Sequence, residues 1–158
     1  MTSDVRLATD EATQAQIADH LRACADDFVP PLAGRVDIDE YAAKIGSLAV
    51  RFEAWADDAL IGLVAVYAND PARNDAFVSS VSVTRDHQRH GIATVLLART
   101  VEHARRQGFK RLTLEVERGN ARAVRLYSNA GFAMEPAHGR MTRMTLELQR
   151  PGNTESEP

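Results

Sequence analysis

A chain of 158 residues, 44% hydrophobic and 26% charged, is large enough for one self-sufficient core, and no apolar run approaches the roughly 20 residues a membrane helix needs. The net charge of −3, with both signs mixed along the chain, argues against nucleic acid as the main partner. The single cysteine, Cys24, excludes an internal disulfide and fits a reducing cytoplasm; the first residues carry no basic stretch followed by an apolar one, so no secretory signal is read.

Residues 5–8 form a short strand candidate, and Thr9 or Asp10 is placed to cap a helix running to about Phe28, with Ile17, Leu21 and Cys24 at helical spacing. On that face Cys24 reads as a buried, apolar-like residue. Tandem prolines, Pro30 and Pro31, stop the helix. After a loop over 32–37, a short helix over 38–45 ends at Gly46. Runs 48–55 and 60–67, joined by Asp57-Asp58, read as a hairpin, and 76–83 as a third strand after the Asn69-Asp70-Pro71 turn. Residues 91–107 are an amphipathic helix closed by Gly108. Residues 111–117 alternate as a strand, Asn120 caps a helix to Asn129, and 132–135 and 141–148 are the last strands, around a loop with His138 and Gly139. The layout is α+β: one domain over 1–150, then a tail, 151–158, whose lack of apolar residues predicts disorder.

The stretch Ser80 to Leu97, SVSVTRDHQRHGIATVLL, concentrates the chemistry. A strand ends at Val83, a polar loop follows, and a helix opens at Gly91. Helix starts leave backbone N–H groups without intrahelical partners and carry partial positive charge. Gly91, lacking a Cβ, lets an anion approach the backbone, and Arg85, Arg89 and His90 add positive or protonatable side chains. That combination makes a diphosphate cradle. It is not a Walker loop, since no Gly-Lys-Ser/Thr follows, nor a dinucleotide fingerprint, whose glycine spacing is absent.

Gln88-Arg89-His90-Gly91-Ile92-Ala93 resembles the Q/R-x-x-G-x-G/A coenzyme A signature of the GNAT N-acetyltransferase family, with Ala93 where many members have glycine. Residues 114–132, LEVERGNARAVRLYSNAGF, resemble the family's second signature, L-x-V-x-x-x-N-x-x-A-x-x-L-Y-x-x-x-G-F. The resemblance covers roughly residues 48–148. It implies a mixed, mainly antiparallel central sheet flanked by helices, with acetyl-coenzyme A as cosubstrate. It further implies that amides of the Gln88–Thr94 turn hold the pyrophosphate and that the backbones of Val81 and Val83 pair with the pantetheine arm. Asn120 reads as a helix cap that can also bond the pantetheine amide. Tyr127 reads either as a core tyrosine or, as the resemblance implies, as the general acid for the departing thiolate.

Glu115, twelve positions before Tyr127, resembles the base of the family's ribosomal-protein N-terminal acetylating branch; the plain alternative is an exposed strand carboxylate. Glu53 and Glu117 are further candidates, and Ser79, Ser80 and Ser82 stand where some members place a carboxylate, which leaves room for a water-relayed base. No Ser/His/Asp or Cys/His constellation is visible in the sequence, so direct transfer without an acyl-enzyme is expected. The five histidines lack metal-ligand spacing. Phe28, Arg35, Tyr41, Trp55 and the residue 135–144 hairpin are the expected acceptor wall. The acceptor is expected to be a small primary amine such as an amino sugar, with a protein or peptide amine, or a non-catalytic coenzyme-binding module, as alternatives. Either a monomer or a homodimer is compatible with the resemblance.

Overall fold

The computed structural model describes residues 4–136 and 139–148; the expected tail at 151–158 and His138 lie outside the described residues. Strands β1 (Val5–Thr9), β2 (Val50–Ala56), β3 (Ala59–Tyr67), β4 (Asp75–Val83), β5 (Arg111–Glu117), β6 (Ala133–Met134) and β7 (Met141–Glu147) form one sheet in the order β1-β2-β3-β4-β5-β7-β6. Every neighbouring pair is antiparallel except β4 and β5. The described α-helices are α1 (Gln14–Cys24), α2 (Ile38–Leu48), α3 (Ile92–Arg106) and α4 (Ala121–Asn129). This is the mixed, mainly antiparallel sheet flanked by helices that the sequence predicts.

Each face of the sheet buries its own cluster. On one side Ile92, Leu96 and Leu97 of α3 pack on Phe52, Val64 and Val78 of the sheet; on the other, Ile17 and Leu21 of α1 and Ile45 of α2 pack on Trp55, Leu63 and Ala65. Close approach of α3 is possible because Gly62 lies under its first turn: a Cβ there would sit 2.9 Å from Ile92 Cγ2.

Three helix boundaries differ from the sequence reading by more than one residue. The first helix starts at Gln14, capped by Thr13 in a reciprocal capping box with Gln16. Asp10 is not the cap; it adopts φ 58° and its Oδ1 accepts from Arg51 N at 2.7 Å, pinning the end of β1 to β2. That helix ends at Cys24, and residues 25–27 tighten into a 3-10 turn. The second helix, capped by Asp37, runs through Gly46 to Leu48.

Candidate functional site

β4 and β5 pair only from Asp75↔Arg111 to Phe77↔Thr113. Beyond that point no ladder joins them, and a cavity of about 630 Å³ is lined by both strands together with the starts of α3 and α4 and the α1–α2 loop. An irregularity in the β3–β4 register coincides with the divergence: Ala65 faces Ser80 but Val66 faces Val78, so Ser79 is the extra residue of a bulge.

The ladder decides which backbone groups of β4 are free. Thr84 N–H donates to Ile61 O at 2.8 Å, so in the alternating antiparallel pattern Ser82 and Ser80 also turn their backbone groups toward β3. Val81 and Val83 turn theirs toward β5 and the cavity. The Val83 carbonyl accepts from Gln88 Nε2 at 3.0 Å, which leaves the Val83 amide and both Val81 groups facing the opening. An unpaired strand edge of this kind accommodates an extended, amide-bearing chain.

At the mouth of the cavity a short 3-10 turn over Arg85–His87 leads to Arg89 at φ 70° and Gly91 at φ 77°, two left-handed residues that turn the chain into α3. No side chain caps α3, and its first intrahelical bond is Val95 N to Gly91 O, so the Ile92, Ala93 and Thr94 amides have no partner within the helix. Gln88, Arg89, Gly91, Ile92, Ala93 and Thr94 all line the cavity. His90 is exposed and does not line it. Gln88 ties the turn to its surroundings: its Nε2 also meets Asp27 Oδ2 at 3.2 Å, and its Oε1 accepts from Arg122 at 3.2 Å. The uncapped amides and the free β4 edge fit the diphosphate and the amide-bearing arm of a coenzyme A thioester.

On the opposite wall, Asn120 Oδ1 accepts from Ala123 N at 3.2 Å and caps α4. The side-chain amide nitrogen (Nδ2) of this cavity-lining residue has no partner among the described residues. Tyr127 of α4 lines the cavity and meets Phe132 edge-on, with centroids 6.1 Å apart. Among the described residues nothing hydrogen-bonds its hydroxyl, and burial pushes its pKa up to about 12, so it is a protonated donor throughout the neutral range. Glu115 is exposed and lines the same cavity, as does Glu117, which pairs with Arg140.

Glu53 has a different role from the candidate base of the sequence reading. Its fully buried carboxylate accepts from the Glu11 and Ala12 amides, both at 3.0 Å, from Trp55 Nε1 at 3.1 Å and from Arg51 Nε at 3.3 Å. It does not line the cavity; it locks the entry to α1 onto β2. Trp55, bound to it, is likewise absent from the wall. Phe28, Arg35 and Tyr41 do line it, but among the described residues of the 135–144 hairpin only Met141 does so. The Tyr41 hydroxyl donates to Ser79 O at 2.9 Å, holding the bulge.

One constellation was not visible in the sequence. His20, 3% exposed, places Nδ1 2.9 Å from Leu60 O and Nε2 2.8 Å from Ser82 Oγ, with Cys24 Sγ 3.7 Å from Nε2. Burial lowers the His20 pKa to about 4 and raises that of Cys24 to about 11, so the pair is a neutral imidazole and a thiol, the wrong charge state for a thiolate nucleophile. The one available sequence signal was a histidine on the apolar face that carries Ile17, Leu21 and Cys24.

A family model described as Acetyltransferase (GNAT) family matches residues 15–132. The chain is 32% identical over 122 residues to a mycothiol acetyltransferase of Brachybacterium faecium, covering 75% of this chain and 37% of that protein. It spans little more than a third of the length of the curated relatives it matches. Its fold is that of the ribosomal-protein-S18-alanine N-acetyltransferase of Escherichia coli, with TM-score 0.74, 21% identity, and 94% of this chain on 97% of that one. The same fold is seen in a putative acetyltransferase of Salmonella typhimurium solved with its cofactor acetyl-CoA, with TM-score 0.71, 23% identity, and coverage of 91% and 95%.

Proposed function

Because the chain belongs to the GNAT acetyltransferase family, we propose that it transfers the acetyl group of acetyl-coenzyme A to a primary amine by direct attack on the thioester. The observation that carries this reading is the opening between β4 and β5, with a free strand edge along one side and the uncapped start of α3 at its mouth. The amides of residues 92–94 and the side chain of Arg89 hold the diphosphate, Val81 and Val83 pair with the pantetheine arm, and the free amide nitrogen of Asn120 meets it from α4. The amine attacks the thioester carbonyl, whose developing oxyanion is met by the Val83 amide. Tyr127 protonates the departing thiolate. Glu115, the cavity-lining carboxylate without a protein partner among the described residues, takes the proton of the amine, directly or through water.

A small polyhydroxylated amine such as an amino sugar fits the acceptor side, where Ser79, Ser80, Ser82 and Tyr41 supply hydroxyl groups. The second reading, a peptide amine, draws on Glu115 and Tyr127 lining one cavity. Calorimetry with acetyl-coenzyme A, followed by thiol release over amino sugars, aminoglycosides, polyamines, amino acids and short peptides, tests both. Saturable binding with turnover on amino sugars supports the first reading, and turnover on peptides alone supports the second. Binding without turnover supports a non-catalytic coenzyme-binding module, and no binding overturns the proposal.

A further inference from the structure

The chemistry proposed above leaves His20 without a task, yet this ring is buried and bonded at both nitrogens. A backbone carbonyl only accepts, so the contact with Leu60 O places the ring hydrogen on Nδ1. In a neutral imidazole Nε2 is then a bare lone pair. Ser82 Oγ, 2.8 Å away, is the donor in that second bond. A hydroxyl has one hydrogen, and Ser82 gives it to His20. Whatever else approaches Ser82 Oγ meets lone pairs.

Ser82 is half-buried and lines the cavity, between the two valines whose backbones face the opening. Its partner across the ladder is Leu63, a member of the cluster under α1 and α2, so its side chain stands on the acceptor side of the sheet. We propose that the chain Leu60 carbonyl–His20–Ser82 makes Ser82 an obligate hydrogen-bond acceptor. It takes one N–H of the incoming amine and so aims the nitrogen lone pair at the thioester. Ser82 is the substrate-contacting group and His20 a positioning residue. The inference rests on the acetyltransferase reading and deepens it by naming the acceptor-orienting site. It asks no covalent step of Ser82: His20 leans on a carbonyl rather than a carboxylate, so an imidazolium formed by deprotonating the serine would be buried without a countercharge. Cys24 Sγ, at 3.7 Å, is the more distant neighbour of Nε2 and remains a thiol.

The test has two arms. Nitrogen-15 spectra of histidine-labelled protein should show His20 with a protonated Nδ1 and an unprotonated Nε2, and Ser82→Ala should shift the Nε2 resonance. A protonated Nε2, or an unmoved resonance, overturns the chain whatever the acceptor. In the second arm, wild type, Ser82→Ala, Ser82→Thr and His20→Gln are assayed over the amine panel. Loss of one hydrogen bond to the amine should lower kcat/KM for the amine roughly ten- to a hundredfold in Ser82→Ala. The acetyl-coenzyme A affinity should stay within about twofold, and Ser82→Thr, which restores a hydroxyl, should recover most of the loss. A Ser82→Ala enzyme with unchanged amine kinetics overturns the orienting role. A wild type that acetylates no amine overturns the acetyltransferase reading itself, and the first arm then decides the hydrogen-bond chain on its own.

Discussion

The neutral His20 makes the fold sensitive to acid in a way that a single substitution removes. In the folded chain the ring titrates at about 4 because burial penalises its charge; in the unfolded chain it returns to its ordinary 6.5. Between those values the unfolded state binds more protons, so stability rises with pH there and is lost as pH falls from 6.5 toward 4. A shift from 6.5 to about 4 corresponds to about 3 kcal/mol at pH 4, a large part of the stability of a domain this size. The Asp27 carboxylate, which acts electrostatically on Cys24, is present in both proteins compared and cancels. The partly buried His103, whose pKa burial also lowers, cancels in the same way. His20→Gln keeps a donor and an acceptor but has nothing to protonate. Urea unfolding followed by circular dichroism at several pH values from 7 to 4 should show wild type losing about 3 kcal/mol more than His20→Gln. Parallel stability curves for the two proteins would refute the buried neutral imidazole, and with it the hydrogen-bond chain to Ser82.

Tyr127→Phe removes a hydroxyl that no described group binds, so the melting temperature should hold within about 2 °C while kcat falls roughly 10²- to 10⁴-fold. Since Tyr127 titrates at about 12, the wild-type rate should show no loss of the acid up to about pH 10; a basic limb near neutrality that vanishes in Tyr127→Phe would contradict its state. Glu53→Gln puts a donor where four donors converge and strips Arg51 of its buried counterion. It should cost about 3 kcal/mol, or roughly 10 °C in calorimetric Tm, and a drop under about 3 °C would sink the locking role. In Gly62→Ala the new Cβ would stand 2.9 Å from Ile92 Cγ2 and 3.2 Å from Leu96 Cδ1, so the first turn of α3 is forced off the sheet. A loss of about 1–3 kcal/mol in stability should come with weaker acetyl-coenzyme A binding by calorimetry, and unchanged binding would mean that the cradle does not depend on this packing.

Element types and order were legible because the periodicities are local: alternation over 111–117, the helical face over 91–107 and the glycines that end helices at 108 and 131 all lie within one segment. Misplaced ends have physical causes. Asp10 has the side chain of a cap, but its carboxylate is committed to Arg51 forty-one residues away, so Thr13 takes over with Gln16 as its partner. Gly46 looked like a helix terminator, yet α2 continues to Leu48, and the Gly46 carbonyl accepts from Arg51 at 3.3 Å. The candidate coenzyme-binding turn was legible because its residues are contiguous in sequence. The acceptor half was not. Glu53 and Glu115 are both strand carboxylates in the sequence, and only tertiary placement separates a buried lock from a cavity wall. His20 and Ser82 meet across sixty-two residues, a contact that no spacing rule announces.

A single strand, β4, divides the labour of the site by its two-residue alternation. Val81 and Val83 pack their side chains into the cluster under α3, and their backbone groups face the opening. Ser80 and Ser82, opposite Ala65 and Leu63, give their backbone groups to β3 and their side chains to the layer formed by α1 and α2. On the proposed function, backbone groups directed at the coenzyme and hydroxyls directed at the acceptor alternate along one strand, about 3.3 Å apart per residue. The bulge at Ser79 ends that regular run on the side of the β4–β5 pairing, and the Tyr41 hydroxyl holds it from α2. On that reading, slipping the strand by one residue would present valine to the acceptor and withdraw the free amides from the coenzyme together. Register in β4 is thus the common determinant of both proposed half-sites, and Tyr41 of α2, itself part of the cavity wall, fixes that register through its bond to Ser79.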